Sequence, residues 1–378
     1  MKSSVLNQCL DRENKIMHRV FNFSPGPAML PEAVLVQAQK EFLNWRETGM
    51  SVMEIGHRGE MFGEIAEKTE ADVRELLSVP ANYQILFLPG GAQLQFSLIP
   101  MNLLGEKKSA DYMNTGIWSK KALDEGNRYG QMNEVGQMSE REGKAFIPPQ
   151  EEWRLNSAAT YLHYTPNETI EGIEFHWVPD SAGVPLVADM TSCIMSRKID
   201  VSQFGVIYAG AQKNLGQAGI TLVIVRDDLL GRASPWVPTI LNWQTQATHH
   251  SLYNTPPTYA WYMMGLVLAW TKKQGGVAEF EKQSQKKSEK LYRYIDEREG
   301  FYVNRVHPSC RSRMNIPFSL VDESMTPVFL REAATAGLTY LKGHRLAGGL
   351  RASLYNGMPE AGVDALISFM SDFMRRFG

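Results

Sequence analysis

The chain has 378 residues, 43% hydrophobic and 21% charged, with a formal net charge of -2. That length exceeds what one apolar core usually serves, so two linked domains are expected. The balanced charge, without a basic stripe or an acidic tail, argues against nucleic acid or a cationic partner. No stretch approaches the roughly 20 consecutive apolar residues of a membrane span.

Residues 1–20 are polar and mixed in charge and lack the apolar core of a secretory signal, so they are expected to form a flexible N-terminal extension. Cys9, Cys193 and Cys310 include no CxxC pair, which leaves no disulfide framework or zinc site and suits a reduced, cytoplasmic protein. Pro31–Trp45 reads as a helix, with Val34, Leu35, Ala38 and Phe42 at helical spacing. A second amphipathic helix spans about Met61–Leu77 and is stopped by Pro80. Short apolar runs at Tyr83–Leu88, Ala159–His163, Val184–Ala188, Gly205–Ala209 and Thr221–Val225 read as buried strands. Charged helices follow at Gly276–Asp296 and Val363–Phe373. The pattern predicts an α/β protein, with a large domain over 21–270 built on a mostly parallel sheet and a smaller C-terminal α/β domain over 271–378. The first residues of the large domain are free to pack on the small one.

Between Val201 and Val225 the only charged residue is Lys213, set between a strand and a glycine-containing turn. Burial in apolar surroundings lowers a lysine pKa, and a neutral amine is what Schiff-base chemistry requires. A surface-loop lysine is the plain alternative, and position alone does not separate the two. Asp189 ends the apolar run Pro185-Leu-Val-Ala-Asp189, where α/β folds place ligand chemistry. It suits either a helix N-cap or a partner for a protonated pyridine nitrogen. Phe87-Leu-Pro-Gly-Gly-Ala-Gln93 passes from strand through a glycine-rich turn towards a helix, a phosphate cradle that is neither GxGxxG nor a Walker A loop.

Together these segments resemble the phosphoserine aminotransferases, which are fold-type I, class V pyridoxal-phosphate enzymes. The likeness runs from Phe21 to Gly378. It is carried by Phe21-Asn-Phe-Ser-Pro-Gly-Pro27, Ser51-Val-Met-Glu-Ile-Gly-His-Arg58, His163-Tyr-Thr-Pro-Asn-Glu-Thr169, Tyr208-Ala-Gly-Ala-Gln-Lys-Asn214, Tyr253-Asn-Thr-Pro-Pro257 and Lys342-Gly-His-Arg345. The resemblance implies pyridoxal 5'-phosphate bound covalently to Lys213, with Asp189 on its ring nitrogen and Trp118 stacked on its ring. It further implies Thr169 near the phenolic oxygen, and Ala92, Gln93 and Gln212 around the phosphate. Asn254 and Thr255 are expected to arrive from the second subunit of a homodimer with shared active sites.

The implied reaction is ping-pong transamination between glutamate/2-oxoglutarate and 3-phosphohydroxypyruvate/O-phosphoserine in serine biosynthesis, with a related step in pyridoxine biosynthesis as a further activity. Such a substrate carries two anionic ends. Arginine suits both through its planar fork of donors. By resemblance Arg351 holds the α-carboxylate, while His57, Arg58, His344 and Arg345, from two Gly-His-Arg triplets, form the side-group pocket. Some family members carry an arginine where this chain has Gln93, so the pocket here is one positive charge short.

Rival readings are a serine–pyruvate type transaminase, a cysteine desulfurase using Cys310 in its basic setting, and an inactive protein that keeps the fold. No metal is expected, since His249 and His250 are adjacent and no HExxH occurs.

Overall fold

The structure, a computed structural model, describes residues 19–378. Residues 1–18 of the expected extension, Cys9 among them, lie outside the described residues.

Seven strands form the main sheet: β1 (Tyr83–Pro89), β2 (Ser109–Asn114), β3 (Gln131–Gln137), β4 (Leu162–Tyr164), β5 (Leu186–Asp189), β6 (Val206–Gly210) and β7 (Ile220–Arg226), in spatial order β1-β7-β6-β5-β4-β2-β3. β7 runs antiparallel to both neighbours and every other pairing is parallel. Side chains alternate between the two faces of such strands. Val187, Val206, Tyr208 and Val223 therefore pack on one face and Leu186, Ala188, Ile207 and Leu222 on the other. Because both faces are covered, the central strands read as unbroken apolar runs.

One face is covered by α3 (Gly91–Leu103), α4 (Ile117–Gly126) and α5 (Trp243–Thr248), the other by α1 (Glu32–Glu41), α2 (Glu60–Leu76) and α6 (Thr258–Lys273). The helix expected over Pro31–Trp45 ends early. After Glu41 the chain turns, and Trp45–Glu47 is a separate short 3-10 turn with Arg46 in the left-handed region.

A second apolar core sits in the C-terminal part. β8 (Tyr302–Val303), β9 (Asn315–Leu320) and β10 (Leu350–Ser353) make a small antiparallel sheet. It packs with α7 (Gly276–Asp296), α8 (Thr326–Thr335) and α9 (Glu360–Phe377). The short strand Phe21–Asn22 pairs with Leu338–Thr339, and Phe23 is buried in this second core. α7 starts in the first core, at Val277, and enters the second at Leu291.

Candidate active site

The carboxyl ends of β1, β2, β4, β5 and β6 all open onto one cavity of about 250 Å³. The edge is shared because these strands point the same way, as ligand sites in open α/β sheets require.

Lys213 follows β6 and lies against the floor of the cavity, 8% exposed. Its Nζ donates to Thr169 Oγ1 at 2.6 Å. Burial pulls the amine down to about 8; Asp189 pulls it back up, and Arg351 adds to the fall. Asp189, at the end of β5, is 4% exposed and accepts from the Thr191 amide at 3.0 Å. Burial raises its carboxyl, opposed by Thr191, Lys213 and Tyr208. A strand-end carboxylate and a lysine of lowered pKa thus face one space.

The glycine-rich turn makes the far wall. Gly90 has φ +97°, and a Cβ there would fall 2.4 Å from Leu94 Cδ2, so only glycine lets α3 begin where it does. Ala92 and Gln93, in the first turn of α3, face the cavity with Gln212. The exposed amides of a helix start attract anions.

Trp118 opens α4 and forms another wall. Its backbone is held by a pair of acids: Glu168 accepts from the Ser119 amide at 2.8 Å and the Trp118 amide at 3.2 Å, and Glu171 from the Ile117 amide at 3.0 Å. Burial and the neighbouring Glu171 push Glu168 up to about 8. Because Glu168 precedes Thr169, this clamp ties the tryptophan to the lysine's hydrogen-bond partner. Lys121 Nζ sits 4.7 Å from the Trp118 ring centroid.

Arg351, on β10, reaches the cavity from the second core, with His344 beside it. Arg351 is 5% exposed, its Nε has no hydrogen-bond partner, and it forms no ion pair among the described residues. Glu171 acts on it electrostatically but makes no ion pair with it, so the guanidinium keeps donors free for an anion in the cavity.

The cavity therefore gathers Ala92, Gln93, Trp118, Thr169, Asp189, Gln212, Lys213, His344 and Arg351. His57, Arg58, Asn254, Thr255 and Arg345 do not line it in the single chain. Arg58 and Thr255 are exposed, and His57 is half-buried with Nε2 unpartnered. The sequence reading missed Glu168, Glu171 and Tyr208. Glu168 stood next to Thr169, and its burial at a helix start is visible only in the fold. Cys310 lies elsewhere, buried, with its thiol pushed up by burial, the reverse of the lowering its basic sequence context suggested. His249 and His250 belong to no metal-holding cluster among the described residues.

The donor set suits pyridoxal phosphate: a depressed lysine amine, a carboxylate for the ring nitrogen, an aromatic wall and a glycine-shaped helix start for a phosphate.

The family profile described as class-V aminotransferase matches residues 20–366. The chain is 55% identical to a phosphoserine aminotransferase of Hahella chejuensis, over 95% of this chain and 99% of that protein. It superimposes on the phosphoserine aminotransferase of Bacillus circulans subsp. alkalophilus with TM-score 0.91 and 43% identity, covering 95% of this chain and 99% of that one. It also superimposes on the pyridoxal-phosphate-bound phosphoserine aminotransferase of Trichomonas vaginalis with TM-score 0.89 and 41% identity, covering 93% and 100%.

Proposed function

The chain belongs to the class-V aminotransferase family, and on that premise we propose that it transfers an amino group between glutamate and 3-phosphohydroxypyruvate, acting as a phosphoserine aminotransferase in serine biosynthesis. The observation that carries this reading is Lys213, buried with a depressed amine pKa and facing Asp189 across a cavity that also holds an unpaired arginine.

Pyridoxal phosphate supplies an electron sink for negative charge at the substrate Cα. Lys213 would hold it covalently and would carry the proton to and from Cα, a task suited to an amine with a pKa of about 8. Asp189 keeps the ring nitrogen protonated, Thr169 orients both Lys213 and the phenolic oxygen, and Trp118 covers the ring. Ala92, Gln93 and Gln212 hold the phosphate. Arg351 clamps the substrate carboxylate, and its buried setting strengthens that contact.

The active form is a homodimer. Asn254 and Thr255 reach the cofactor phosphate of the other subunit, and His57 and Arg58 join His344 and Arg345 around the substrate's phosphate. The large domain keeps the main sheet, and the small one takes the second core together with the segment around Phe23. Buried, unbridged Cys193 and Cys310 suit the cytoplasm.

An absorbance titration tests the assignment. Glutamate should bleach the visible band of the purified protein and phosphohydroxypyruvate should restore it, whereas Lys213→Ala should show neither change. Equal restoration by pyruvate would overturn the phosphate-specific reading in favour of a serine–pyruvate type enzyme.

A further inference from the structure

Behind Asp189 lies a buried polar row that the reaction as described does not use. Asp189 pairs in register with Tyr208, Val187 with His163, and His163 with Tyr112. In a parallel sheet, partners in register share a face, so Asp189, Tyr208, His163 and Tyr112 all project towards α3 and α4. The Tyr208 hydroxyl spans β5 to meet His163 Nε2 at 2.9 Å. The His163 ring stacks on Tyr112 at 4.8 Å and 24°, and the Tyr112 hydroxyl is already engaged with Tyr161 at 2.7 Å.

We propose that Tyr208 and His163 are positioning residues that hold the Asp189 carboxylate in place, His163 donating Nε2–H to Tyr208 and Tyr208 donating O–H to Asp189. The argument is one of tautomers. His163 is 1% exposed, and burial pulls its pKa down to about 3, so it stays neutral with one N–H. Its Nδ1 has no partner. A proton there would leave a buried donor unsatisfied, whereas a bare lone pair is the smaller loss. The proton therefore resides on Nε2 and is given to the Tyr208 oxygen. Tyr208 keeps its own proton for another acceptor, and the carboxylate beside it in register is Asp189, which its hydroxyl stabilises. Among the other ionisable groups of this region, Lys213 acts on Asp189 and Tyr161 on Tyr208.

The inference rests on Asp189 facing a pyridine nitrogen. Its test compares the affinity of the full-length apoprotein for pyridoxal phosphate and for the 1-deaza analogue, in which the ring nitrogen is a C–H, followed by tryptophan quenching. Tyr208→Phe should weaken pyridoxal phosphate about ten- to a hundredfold, the range for a hydrogen bond to a charged group, and leave the analogue nearly unchanged. His163→Phe should move in the same direction by a smaller factor. Equal weakening of both ligands would show that Tyr208 only packs, and no weakening of either would show no coupling; both overturn the proposal. Asp189→Asn separates the premise: if wild type shows no preference for pyridoxal phosphate that this substitution removes, the Asp189 reading itself falls.

Discussion

Lys213 is where residue-scale chemistry decides function. An ordinary lysine is protonated across the working range, but burial of this one brings its pKa to about 8. Below that value the amine is protonated and inert; above it the free base predominates. The rate at which apoprotein captures pyridoxal phosphate should therefore climb with pH up to about 8 and level off there, instead of rising to the value of an exposed lysine. Stopped-flow absorbance across that range checks the midpoint. Thr169 contributes by accepting the Lys213 hydrogen bond, and the acid pair Glu168 and Glu171 contributes by fixing the start of α4 around Trp118.

At the scale of elements, one lysine outside the reaction ties down the chain that follows β10. Lys287 on α7 is 3% exposed and donates to the carbonyls of Leu354, Tyr355 and Met358 at 3.1, 3.0 and 2.8 Å. Burial pulls its pKa down to about 7, a tendency the nearby Glu360 opposes. The segment it ties down follows β10 and carries Tyr355, whose ring centroid lies 6.0 Å from Lys213 Nζ. Lys287→Met keeps the apolar stem but takes the ammonium donor from three carbonyls, of which only that of Tyr355 keeps a backbone donor, the Met358 amide at 2.9 Å. It should destabilise the fold by about 2–4 kcal/mol, read by denaturant unfolding.

The whole molecule sets which residues share a site. If Asn254 and Thr255 serve the partner's cavity, a mixture of Lys213→Ala and Asn254→Ala/Thr255→Ala proteins should recover activity after unfolding and refolding together. Each hybrid dimer has one site with both defects and one with neither. With random pairing about a quarter of all sites are intact, so recovery should approach that fraction. Recovery no greater than the sum of the separate parents would place these residues in their own chain's cavity.

How much of this was legible in the sequence differs from element to element. The central strands β5, β6 and β7 were readable because both of their faces are buried and their residues are uniformly apolar. α7 was readable end to end, from Gly276 to Asp296, because its stripe is strongly amphipathic. β2 and β3 were not, since β2 buries Asp111, held by the Asn156 amide at 2.8 Å and Asn133 at 3.0 Å, and β3 is a polar edge. Such long-range satisfaction of a buried acid leaves no local pattern.

Local chemistry in the sequence determined the α/β class, the isolated lysine, the strand-end aspartate and the glycine turn, because each depends on residue type and near neighbours. Only the tertiary structure decided that these meet in one cavity, that Arg351 comes to it without an ion pair, and that Glu168, Tyr208 and His163 stand behind it. Those facts depend on strand order, register and burial, which bring together residues far apart along the chain.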